Sequence, residues 1–167
     1  MITVISGTDR KNSNTRKVAD EYVRMLQQQN VEVQLLALEE YKHIIKEGNE
    51  LRALQEQFLF PVDKMIIVVP EYNGSYPGIL KLLIDHSDIQ QAWWYKKVLI
   101  TGVSTGRAGN LRGMEHLSGV LLHLRMILHY NRLPLSTVNR LFNEQNQFSD
   151  QATLSAIENQ INEFLEF

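Results

Sequence analysis

The stretch Met65-Ile66-Ile67-Val68-Val69-Pro70-Glu71-Tyr72-Asn73-Gly74-Ser75-Tyr76-Pro77-Gly78 decides the architecture. Its first five residues are apolar without a break and four of them are β-branched, which predicts a central strand buried on both faces. The polar loop that follows then lies at the strand's carboxyl edge. In an open parallel sheet that edge is where ligands bind, because the chain reverses there and leaves a crevice. Tyr72 and Tyr76 offer flat faces, Asn73 a donor and an acceptor, and Gly74 close backbone approach, while Pro70 and Pro77 stiffen both ends. Asn-Gly and Pro-Gly are also common turn dipeptides, so the loop alone reads equally as a turn. The surrounding chain shifts the balance.

Upstream, Ile2-Thr3-Val4-Ile5 predicts a short strand that ends at Ser6-Gly7. After it comes Thr8-Asp9-Arg10-Lys11-Asn12-Ser13-Asn14-Thr15, and then Val18, Tyr22 and Met25 or Leu26 at helical spacing, ending near Gln29-Asn30. Strand, polar loop and helix make an anion-binding layout, in which the free amides of the first helical turn face the loop. Thr8, Ser13 and Thr15 carry hydroxyls, and Arg10 can fork two hydrogen bonds onto a phosphate. An ordinary N-cap needs one such residue, whereas several follow one another here. Neither a nucleoside-triphosphate loop nor a G-x-G-x-x-G fingerprint is present.

Residues 31–36 alternate like an edge strand, residues 38–60 predict one helix, and Pro77-Gly78 opens an almost wholly apolar helix with proline at its first position. A helix apolar on nearly all sides packs on the sheet with one face and either on a second subunit or within the monomer with the other. Trp93-Trp94-Tyr95 reads as a rim of the site or a core plug, with the core plug preferred. Residues 97–103 form a fourth strand, ending in a second small-residue loop, Ser104-Thr105-Gly106-Arg107-Ala108-Gly109-Asn110. A long helix follows on Leu111, Met114, Leu117, Leu121, Leu124 and Leu128. Residues 133–138 predict a fifth strand, and Ser149-Asp150 caps a last helix bearing Leu154, Ile157, Ile161 and Phe164. The alternation calls for an α/β fold: a three-layer α/β/α sandwich on a five-stranded parallel sheet of order 2-1-3-4-5, one domain over residues 1–167. The loops after the first, third and fourth strands then share one crevice.

Composition removes other classes. The 167 residues carry a net charge of −2, too weak a field to gather nucleic acid or an anionic membrane. There is no cysteine, hence no disulfide, thiolate nucleophile or iron–sulfur ligand set, and any redox chemistry belongs to a bound cofactor. No signal core or membrane span is apparent, so the expected setting is cytoplasmic. His43, His86, His116, His123 and His129 show no His-x-His or His-Glu-x-x-His spacing, so no metal site is expected. A phosphate cradle beside aromatic, amide-rich loops describes a mononucleotide site with a large planar ring, which flavin mononucleotide (FMN) fits best.

Here the chain resembles the NADPH-dependent FMN reductases, a flavodoxin-like group that includes quinone, azo-dye and chromate reductases. The resemblance rests on Gly-Thr-Asp-Arg-Lys-Asn-Ser-Asn-Thr (residues 7–15), Pro-Glu-Tyr-Asn-Gly-Ser-Tyr-Pro-Gly-Ile-Leu-Lys (70–81) and Ser-Thr-Gly-Arg-Ala-Gly (104–109). The family's first loop usually reads Gly-Ser-x-Arg-x-x-Ser with an asparagine two places on. Thr8 replaces the serine, and Thr15 takes the asparagine's place beside Asn14. The resemblance implies that Thr8, Arg10, Ser13, Asn14 and Thr15 hold the phosphate, that Pro70, Glu71, Tyr72, Asn73 and Gly74 edge the isoalloxazine, and that Ser104, Thr105 and Gly106 close the far side. It also implies hydride transfer from transient NADPH or NADH through FMN to a small electron acceptor such as a quinone, without a protein acid–base pair. A homodimer or homotetramer is the expected assembly. A flavodoxin-like electron carrier and a non-catalytic FMN-binding protein remain the alternatives.

Overall fold

The computed structural model describes residues 1–47 and 50–167. The sheet is built on β1 (Ile2–Ser6), β2 (Val33–Ala37), β3 (Lys64–Pro70) and β4 (Lys97–Val103). Two short strands, β5 (Ile127–Leu128) and β6 (Leu133–Leu135), complete it. All pairings are parallel and the order is β2-β1-β3-β4-β5, with β6 also on β4. The order is the expected one, but the strand count is not five. The fifth position is shared: β5 pairs with Lys97 and Val98, and β6 with residues 101–103, so the two lie in tandem along one flank of β4.

The uninterrupted apolar run of β3 is buried on both faces, as its composition requires. Met65, Ile67 and Val69 pack into one hydrophobic layer and Ile66 and Val68 into the other, following the two-residue period of a strand. The first layer is covered by α2 (Leu38–Glu47), α3 (Leu51–Phe58), α4 (Gly78–His86) and α6 (Leu111–His123). The second is covered by α1 (Asn14–Gln28) and α7 (Gln151–Glu166). A single turn of helix, α5 (Ile89–Ala92), precedes Trp93, which is fully buried in the first layer. Tyr95 does not join it: the residue is 64% exposed, so the core plug is Trp93 and not the whole aromatic triplet.

Where expectation and structure part, backbone conformation is the reason. The expected helix over 38–60 is two helices, because Glu50 takes the left-handed conformation (φ 60°) ahead of α3; residues 48 and 49 lie outside the described residues. The expected helix to Leu128 stops at His123, since Arg125 (φ 58°) turns the chain into β5. The strand expected over 133–138 ends at Leu135, where the chain enters a 3-10 turn, Val138–Arg140, behind Thr137 (φ 46°). Pro77 precedes the first turn of α4 as its N-cap. Among the described residues no helix is long and apolar enough to cross a membrane.

Candidate functional site

In-register pairing of Ser6 with Val68 and of Pro70 with Val103 brings the ends of β1, β3 and β4 to one rim. The loops that leave them are tied to one another by backbone hydrogen bonds. Glu71 N–H donates to Val103 O (3.0 Å), Ser104 N–H to Leu135 O (3.0 Å) and Val138 N–H to Ser104 O (3.0 Å). Between them lies a cavity of about 320 Å³ whose walls come from four segments: Arg10 to Thr15, Pro70 to Tyr72, Val103 to Thr105, and Val138.

The first wall is the start of α1. Ser13 is its N-cap, with Oγ accepting from Arg16 N–H (3.0 Å), and Asn14 and Thr15 open the helix. The positive end of the helix dipole and its unpaired first-turn amides therefore face the cavity. Arg16 does not serve it. Its guanidinium is held by Asp20 (2.9 Å), Glu39 (3.0 Å) and Glu40 (2.6 Å), and although burial opposes the charge, the Glu40 and Asp20 hydrogen bonds raise its pKa still further. Glu39 and Glu40 thus act as an anchor that leaves Arg10 as the arginine of this wall.

The second wall is fixed by its own turn. Tyr72 and Ser75 exchange backbone hydrogen bonds (2.8 and 3.1 Å) around Asn73 (φ 52°) and Gly74 (φ 76°), a two-residue hairpin turn that needs positive φ at both central positions. A side chain at Gly74 would be strained by the positive φ and would also push aside the exposed Arg112 guanidinium, 2.9 Å from the place of a Cβ. Both readings of the Asn-Gly pair hold in part: it is the turn, and the turn presents Tyr72. The Tyr72 hydroxyl is within 2.5 Å of Thr8 Oγ1, and the Arg10 guanidinium lies 4.0 Å from the centre of the Tyr72 ring. In the third wall Ser104 Oγ accepts from Gly106 N–H (3.0 Å), and Gly106 O accepts from Thr137 N–H (2.8 Å), which shapes the loop.

Of the residues expected at the site, the structure brings Arg10, Ser13, Asn14, Thr15, Pro70, Glu71, Tyr72, Ser104 and Thr105 around the cavity. Thr8 is buried behind it as the partner of Tyr72, while Asn73, Gly74 and Gly106 stand in the turns that shape it. Lys11, Asn12, Val103 and Val138 line the cavity without having been singled out. Lys11 and Asn12 sit inside the quoted first loop, and Asn12 at φ 53° is its bend. Val138 arrives from the turn after β6, for which the sequence carries no ligand signal.

Larger depressions exist, including one of about 540 Å³ beside α2 and one of about 480 Å³ between α4 and α6. Neither combines strand carboxyl ends, a helix N-terminus and a fixed aromatic face, so chemistry and not volume selects the site. No group of histidine, aspartate or glutamate side chains among the described residues is arranged to hold a metal ion. The donor set suits FMN: amides, hydroxyls and Arg10 for a phosphate, Tyr72 for a planar ring, and backbone of the second and third walls for ring heteroatoms.

Comparison with known proteins gives the same direction. A family model described as NADPH-dependent FMN reductase matches residues 1–136. A 2-hydroxy-1,4-benzoquinone reductase from Burkholderia sp is 38% identical over 80 residues, covering 46% of this chain and 43% of that protein. A quinone reductase of Escherichia coli K12 is 34% identical over 121 residues, covering 70% and 64%. The matches therefore span between 43% and 64% of these relatives' length. Among solved structures, FerB, a flavoenzyme NAD(P)H:(acceptor) oxidoreductase from Paracoccus denitrificans, superposes with a TM-score of 0.82 at 21% identity, covering 99% of this chain and 94% of that one. At that identity the superposition speaks for the fold.

Proposed function

Because the chain belongs to the NADPH-dependent FMN reductase family, we propose that it is an FMN-dependent NAD(P)H oxidoreductase that passes electrons to a quinone, free flavin or similar small acceptor. The observation that carries this reading is the meeting of the loops after β1, β3 and β4 around one cavity with the α1 N-terminus at its floor. Bound FMN would supply the redox chemistry, accepting electrons from a pyridine nucleotide and releasing them to the acceptor.

The chain's own contribution is binding, orientation and shielding. The α1 amides, Ser13, Asn14, Thr15 and Arg10 hold the phosphate. Pro70, Glu71 and Tyr72 position the ring edge, and Asn73 and Gly74 maintain the turn that presents them. Ser104, Thr105 and Gly106 close the opposite side, and Thr8 sets the tilt of Tyr72. Backbone N–H groups of these loops are the donors available to stabilise negative charge on a reduced ring. No side chain is assigned as a proton donor.

The reading extends to a single domain over residues 1–167, acting in the cytoplasm as a homodimer or homotetramer. The groove between α4 and α6, with Ile84, Val120, Leu124 and the exposed Ile89 in its walls, supports an assembly through these helices. Sedimentation velocity tests it, and a stable monomer at micromolar concentration would overturn it. For the activity, purified protein should show the blue absorbance band of a flavin and oxidise NADPH or NADH faster when a quinone is added. Tight FMN without pyridine-nucleotide oxidation would favour an electron carrier.

A further inference from the structure

Arg10 is exposed, yet its guanidinium is not solvated on every side. Its guanidinium stacks on Tyr72 with its centre 4.0 Å from the ring centroid, and among the described residues no carboxylate pairs with it. Both residues line the same cavity, so the stack is part of the wall and the ring face beneath the guanidinium is covered. Tyr72 is fixed at two points, by the hairpin bonds to Ser75 and by its hydroxyl on Thr8 (2.5 Å). Arg10 is anchored through its backbone, whose N–H donates to Thr8 Oγ1 (3.3 Å), and among the described residues no hydrogen bond holds its guanidinium. Its long side chain is exposed, and the contact it makes is the stack on Tyr72. An aromatic ligand seeking that face of Tyr72 must therefore displace the arginine, whereas the tyrosine stays in place.

Resting on the FMN-binding reading, we propose that Arg10 is a specificity-determining residue that covers Tyr72 until a phosphate at the α1 N-terminus draws it away. A charge-assisted, two-pronged pair with phosphate outweighs an exposed cation–π contact, so the exchange runs toward phosphate. The uncovered ring face then accepts the planar ring. The consequence is a preference for phosphorylated over unphosphorylated flavin that exceeds the phosphate's own contacts, because the ring of riboflavin alone competes with Arg10 and the ring of FMN does not. Coupling of this kind is reciprocal: phosphate tightens ring binding by the factor by which the ring tightens phosphate.

The test uses the full chain freed of flavin, with riboflavin as the ring probe and inorganic phosphate as the second ligand, at ionic strength held constant with chloride. In the wild-type chain phosphate should tighten riboflavin by about two- to five-fold, the range of one exposed cation–π contact. Arg10→Ala should bind riboflavin tighter by a similar factor without phosphate and lose the response to it. The Tyr72 ring resonances should shift on phosphate addition alone in the wild type and stay put in Arg10→Ala. Phosphate and riboflavin binding independently to the wild type, or a coupling that survives in Arg10→Ala, overturns the inference while leaving FMN binding intact. Failure of FMN itself to bind overturns this inference and the proposed function together.

Discussion

The two ends of the sheet treat their helices in opposite ways. At the carboxyl ends of the strands a helix begins, and its amides, together with Arg10 and the hydroxyls of Asn14's neighbours, face an open cavity. At the amino ends helices finish, and lysines close them off. Lys64 Nζ donates to Phe164 O (2.9 Å) and Leu165 O (2.8 Å) after passing the ring of Phe164, and Lys97 Nζ donates to Phe167 O. Lys96, almost fully buried, donates to Leu59 O (2.5 Å) and Phe60 O (3.1 Å) just past α3. Cations on terminal carbonyls satisfy the acceptors and the helix dipole together. One end consumes its hydrogen-bonding capacity internally and is structural; the other keeps it unspent and is available to a ligand.

Substitutions should separate accordingly. The largest effect is expected at the closed end: Lys96→Ala leaves two carbonyls without their cation and should cost about 3 kcal/mol of stability by urea denaturation, with FMN affinity unchanged. A loss of FMN affinity in the refolded variant would break the division between the ends. Arg10→Ala should reverse the pattern, weakening FMN by about 2 kcal/mol in fluorescence titration while stability stays within about 0.5 kcal/mol. Thr8→Val sharpens the boundary, because Thr8 lies behind the cavity yet positions Tyr72. It should lower stability by about 1 kcal/mol and FMN affinity by a comparable amount, through loss of the part-buried hydrogen bonds that Thr8 Oγ1 makes with the Tyr72 hydroxyl and with Arg10 N–H.

The mildest effect concerns pH, and it too belongs to the closed end. His129 is buried between Tyr130, Phe164 and Phe167, with Nδ1 accepting from Asn131 N–H (3.3 Å). Burial pushes its pKa down and Lys64 adds to that, against the opposing pull of Glu163. The folded imidazole thus stays neutral while an unfolded one protonates near about 6.5. Stability from this residue is present above that pH and falls as pH drops through it toward the lower folded value. Urea midpoints at pH 5 and 7 should diverge less in His129→Leu than in the wild type; an unchanged divergence would remove His129 from the account.

The sequence announced the elements that are chemically one-sided. β3 and β4 are long apolar runs, Ser13 is a capping residue before a periodic helix, and Asp150 caps α7, and each was found in place. It hid the places where periodicity outlasts the element. Leu124 and Leu128 continue the spacing of α6, yet Arg125 adopts φ 58°, a backbone choice that side-chain pattern does not encode. The same holds for Glu50 between α2 and α3. At the site, residues carrying donors or rings were legible, because their chemistry is visible in one dimension. Val138 was not, since an apolar residue lines a cavity only through the path of the turn that delivers it.

The split flank of β4 has a consequence of its own. Between the two short strands the carbonyl of Ile100 faces the amide of Gln160 at 3.5 Å, a side chain standing where a neighbouring backbone would be. That border is two short strands and not one continuous ladder, which gives a stray chain little backbone to pair with and blunts edge-to-edge association on this side.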